Sequence, residues 1–144
     1  MVFGGVPVTN NAAVELPNFL IPWLEANINM STESTYQFCG MAIVAASGSG
    51  LIGPAAVGLP SAGGPIVGVL QNNPQLAEAA TIMQSGVSKI LLSGTVSVDT
   101  LLAVDVNGNF LAATSGQYIV AVAMGAGVAG DIITGLITNL GLHA

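Results

Sequence analysis

Leu101-Leu102-Ala103-Val104-Asp105-Val106-Asn107-Gly108-Asn109-Phe110-Leu111 reads as two short apolar runs on either side of an Asn-Gly step. Asn-Gly is the favoured pair for a two-residue hairpin turn, because both central positions of that turn need positive φ. The stretch therefore predicts a β-hairpin. Outward from it, Val87–Leu92 reads as a strand held between the Ser85-Gly86 and Ser93-Gly94 turns. Val96 and Val98 alternate with Thr95, Ser97 and Asp99, the period of two expected of a half-buried strand. Tyr118–Met124 and Ile132–Ile137 follow as strands, separated by the small-residue loop Gly125–Asp131. Many short strands with glycine-rich turns define an all-β chain, a small β-barrel or compact sandwich.

Toward the N-terminus, Ile66–Leu70 opens this series and Gln71-Asn72-Asn73-Pro74 turns it. Ala77–Met83 suits either a short helix or a strand. Met41–Ala46 is expected as a buried strand ahead of a Gly/Pro/Ser-rich stretch that runs to residue 65. Residues 1–40 differ in character. They carry Phe3, Phe19, Trp23, Tyr36 and Phe38, and Pro7, Pro17 and Pro22 favour an extended arm. Pro22–Ile28 is expected to form a short helix, with Pro22 at its first position. The expected organisation is an N-terminal arm over 1–40 and a β-barrel domain over 41–144. The five aromatics of the arm are the candidate interface anchors, because buried aromatic side chains give large contact area per residue.

Charge narrows the function. Among 144 residues there is a single Lys or Arg, Lys89, against seven Asp and Glu; 52% of the chain is hydrophobic and 6% charged. Soluble domains carry roughly a quarter of their residues as charge, so much of this surface is expected to be covered by other protein. A net charge of −6 argues against nucleic acid, since displacing phosphate counterions takes more than one cation. It argues equally against binding anionic lipid. The charge-free window at Met41–Gly58 is broken by Gly, Pro and Ser and lacks the large side chains that drive membrane insertion. The first residues hold no basic segment of a signal peptide.

Chemistry is sparse. Asp105-x-Asn107-x-Asn109 opens like a calcium loop, but Phe110 stands where that loop needs Gly and Gly116 where it needs Glu. A turn is expected there, and Asp99, Asp105 and Asp131 are expected to cap turns at strand ends. The glycine-rich Gly125–Asp131 is followed by a strand-like run and no Lys-Ser/Thr, so a phosphate loop is not expected. The lone Cys39 reads as a small buried residue. No catalytic, metal or cofactor site is expected.

In residues 86–140, Val87-Ser88-Lys89-Ile90, Asp99-Thr100-Leu101-Leu102, the Asp105–Gly108 turn, the strand Tyr118–Met124 and Gly130-Asp131-Ile132-Ile133 follow in order. This pattern resembles the small β-barrel of tailed-bacteriophage head decoration (capsid cement) proteins. The resemblance implies a non-enzymatic virion protein without cofactor. It implies a homotrimer on the outer surface of the head that binds the major capsid protein lattice and neighbouring decoration subunits. The alternatives are a self-assembling shell or fibre subunit, or a small-ligand-binding module, which would need a convergent polar pocket.

Overall fold

The computed structural model describes residues 24–27, 29–30, 36–46 and 55–144. They form ten strands: β1 (Glu25–Ala26), β2 (Gly40–Ala45), β3 (Ala55–Gly58), β4 (Gly68–Leu70), β5 (Ile82–Met83), β6 (Gly86–Leu91), β7 (Leu101–Val104), β8 (Phe110–Ala112), β9 (Tyr118–Ala123) and β10 (Ile132–Leu142). Two five-stranded sheets result, ordered β1-β3-β2-β4-β5 and β6-β10-β9-β7-β8. The chain is all-β, as its turns and alternation predict.

Each sheet curls until its edges meet. In the first, an antiparallel bridge joins Glu25 to Ala79, just ahead of β5; in the second, a parallel bridge joins Leu92 to Phe110 of β8. Closure removes the open edges that would otherwise template aggregation. Each small barrel has its own core. Met41, Val57, Leu70 and Ile82 centre the first; Ile90, Leu102, Phe110 and Val120 centre the second.

The two barrels are one fold repeated in register. Gly40↔Val69 corresponds to Leu101↔Val122, and Ala42↔Gly58 to Ala103↔Leu111. Val69↔Met83 corresponds to Val122↔Leu136, in each case 53 residues later. The unusual backbone repeats as well. Positive φ occurs at Phe38, Gly63 and Ala77 in the first barrel and at Asp99, Gly116 and Gly130 in the second. Each of these is the third residue of a turn closed by a bond from the fourth N–H to the first carbonyl, as in Cys39 N to Tyr36 O and Asp131 N to Val128 O. Positive φ at that position alone marks a type II turn. In four of the turns the fourth side chain also accepts from the first N–H: Glu78 from Gln75, Thr100 from Ser97, Gln117 from Thr114 and Asp131 from Val128.

Three segments depart from the sequence reading, two of them at these turns. Val96-Ser97-Val98-Asp99 is not a strand: Val96 makes one bridge, to Gly127, and the residues after it enter the Ser97–Thr100 turn. Ala77 has φ 67°, which stops a helix there, so only Ile82–Met83 of that segment becomes regular, as a strand. Glu25–Ala26, inside the stretch expected to be helical, pairs as a strand parallel to β3.

The β7–β8 hairpin forms where expected, with a different turn. Gly108 has φ 80° and Asn107 does not share the positive sign. Gly108 N donates to Asp105 O, and Asp105 N donates to Asn109 O, which describes a type I turn followed by a bulge glycine.

Candidate interaction surface

The chemistry-bearing side chains are engaged in the fold. Asp105 Oδ1 accepts from the backbone N–H of Asn107 (2.8 Å) and Asn109 (2.9 Å), so this carboxylate holds the hairpin turn. Asp131 caps its turn as expected, but Asp99 does not. Asp99 supplies the left-handed third position, and the Thr100 hydroxyl makes the cap. Cys39 is buried, its Sγ donates to Asn109 Oδ1 at 3.1 Å, and burial, reinforced by the charge of Asp105, pushes its pKa up to about 12. A thiol so disposed stays protonated and is a poor nucleophile. Among the described residues no three His, Cys, Asp or Glu side chains gather as a metal site, and no helix is long and apolar enough to cross a membrane. An open groove of about 390 Å3 is lined in part by Ile43, Pro65, Ile66 and Asn139, and no titratable side chain is among the described residues of its wall.

What the structure does present is apolar surface. On the outer face of the second barrel, Leu101, Val122, Leu136 and Val87 stand opposite one another across β7, β9, β10 and β6. Leu136 is 41% exposed and Val87 53%. Ile132 and Met124 extend this face, both exposed. Lys89, the chain's single Lys or Arg, emerges from β6 beside it, its ammonium 5.7 Å from the centroid of the Phe38 ring. That distance is within cation–π range.

The sequence-derived anchors divide by position. Phe3, Phe19 and Trp23 lie outside the described residues. Tyr36 packs, partly buried, against the first core. Phe38 sits at φ 70° in the turn leading into β2, where its carbonyl accepts from Leu91 N at 3.1 Å, so it joins the two barrels. The exposed row on the second barrel is not legible in the sequence. Neither strand signals it alone, because on this face Lys89 follows Val87 in β6 and Thr134 separates Ile132 from Leu136 in β10.

The class defined by this architecture is a tandem repeat of a five-stranded β-barrel. Among solved structures, the fold is similar to the head fiber gp8.5 N base in bacteriophage phi29, with a TM-score of 0.63 and 10% sequence identity, over 84% of this chain and 95% of that one. No protein-family model matches the chain, and no curated protein does.

Proposed function

We propose that this chain is a structural protein of a bacteriophage head, which works by binding other capsid components and carries out no reaction. The observation that supports this most is the likeness of the fold, over 84% of this chain, to a phage head fibre base, over 95% of that chain. The apolar outer row of the second barrel agrees with it, because exposed apolar faces of this kind mark interaction sites. So does the scarcity of charge, with 6% of residues charged.

The finer reading is a homotrimer on the outside of the head, bound to the major capsid protein lattice and to neighbouring decoration subunits. In that reading the arm expected over residues 1–40 reaches its neighbours through Phe3, Phe19 and Trp23, because Tyr36 packs on the first core and Phe38 joins the two barrels. The acids keep the free protein soluble and away from packaged nucleic acid. The comparison with a fibre base favours a second form of the same reading, in which the chain is the foot of a head-surface fibre.

Cosedimentation of the purified full chain with preformed heads lacking it tests the proposal. Saturable binding to intact heads is expected. A folded chain that stays in the supernatant at every concentration would overturn it.

A further inference from the structure

The repeat exposes two unused halves of a contact that the chain already makes once. Inside the molecule, the outer row of the first barrel, Gly40 and Val69, packs on the end of the second barrel. Val69 is 0% exposed and belongs to the core cluster of Val104 and Phe110. A Cβ on Gly40 would lie 3.0 Å from Val104 Cγ1. Backbone bonding continues the contact, from Gly40 N to Gly108 O at 2.8 Å.

By the register of the repeat, Leu101 and Val122 of the second barrel are the counterparts of Gly40 and Val69. Leu136 is the counterpart of Met83 in the same row. This row faces solvent, with Leu136 41% exposed. The receiving side shows the same imbalance. Val104 pairs with Phe110 as Ile43 pairs with Val57. Val104 is 0% exposed beneath the first barrel, whereas Ile43, at the matching end of the first barrel, is 51% exposed.

We infer that the row Leu101–Val122–Leu136 of one copy packs on the Ile43 end of the first barrel of a second copy. The contact repeats between chains the one that joins the barrels within a chain. It is head to tail: each copy has both halves and uses them on different neighbours. Contacts of this type close into rings or extend, according to the rotation they impose. This goes beyond the head-surface reading and does not require it, so failure to bind heads with self-association intact leaves it standing.

The test is sedimentation velocity on the full chain and two variants, Leu136→Asp and Ile43→Asp. The parent is expected to self-associate, and each variant alone to sediment as a monomer. An equimolar mixture is expected to form a one-to-one dimer and nothing larger, because only one intact pair of halves remains. A parent that stays monomeric to about 100 μM would overturn the inference. So would an Ile43→Asp chain that assembles like the parent, or a mixture that stays monomeric. A second measurement guards against misfolded variants: oxidation of the Leu136→Cys/Ile43→Cys chain should yield intermolecular disulfides, and their absence would also refute the contact.

Discussion

Phe38 and Asp99 hold the same left-handed backbone, φ 70° and 71°, at the third position of equivalent turns in the two barrels. Neither is a glycine, and an L side chain in this region costs roughly 1–2 kcal/mol. Both persist because the turn is over-determined by its neighbours. Asp99 N donates to Ala123 O at 2.7 Å, and Phe38 N to Leu70 O at 2.8 Å. Asp99 is exposed and its carboxylate does not cap the turn. Asp99→Gly is therefore expected to stabilise the protein by about 1 kcal/mol. Denaturant unfolding reads this directly; a lower midpoint would mean that the aspartate side chain holds the turn after all.

Gly108 and Gly116 both have positive φ, 80° and 84°, but only one is crowded. A Cβ on Gly108 would lie 2.3 Å from the carbonyl oxygen of Gly40, whereas one on Gly116 would meet nothing within 4 Å. Gly116→Ala is expected to cost about 1 kcal/mol, from backbone strain alone. Gly108→Ala adds a backbone clash at the seam between the barrels and is expected to cost more than about 3 kcal/mol. Equal losses in thermal unfolding would show that the close approach of Gly108 to Gly40 is relaxed in solution.

Truncation separates the arm from the first barrel. Glu25–Ala26 closes that barrel, with Ala26 N donating to Glu78 O and Ala80 N to Leu24 O, both below 3 Å. Removing residues 1–23 is expected to leave cooperative unfolding intact. Removing residues 1–28 deletes β1 and is expected to lower the midpoint of unfolding sharply, by opening the core around Met41 and Ile82. Indistinguishable melting of the two truncations would contradict the role given to β1.

Cys39 makes stability fall with alkali. Its folded pKa, about 12, lies above the ordinary thiol value of 9.0. At neutral pH the thiol is protonated in both states and contributes no slope. Above the unfolded value the unfolded chain loses the proton first, so the native state binds more protons and stability declines as pH rises toward 12. The loss is at most about 1.4 kcal/mol per pH unit. Cys39→Ala should flatten this part of the curve relative to the parent. Parallel curves for the two proteins between pH 9 and 11 would refute the burial argument.

Much of the second barrel was legible because its strands obey local rules. Tyr118–Ala123 and Ile132–Leu142 lie where apolar runs meet glycine-rich turns. The hairpin was legible but its turn was not, because the Asp105 carboxylate gathers two backbone N–H groups and so draws Asn109 into the loop. The internal repeat left almost nothing to read. Gly63-x-x-Ile66-Val67-x-Val69 recurs as Gly116-x-x-Ile119-Val120-x-Val122, and little else does. A barrel this small asks only for alternation and for left-handed third positions. Phe, Ala and Asp meet that second demand in places where glycine would have announced it. The exposed row is a product of pairing across four strands, and no one segment contains it.

A structural role on a phage head is tested by a cryo-electron density map of the particle expected to carry this chain. With that role the map holds density on the outer face of the shell into which both small barrels of each chain fit, in contact with capsid protein. Shells that carry no such density, with the chain in the tail or absent from the particle, would contradict it.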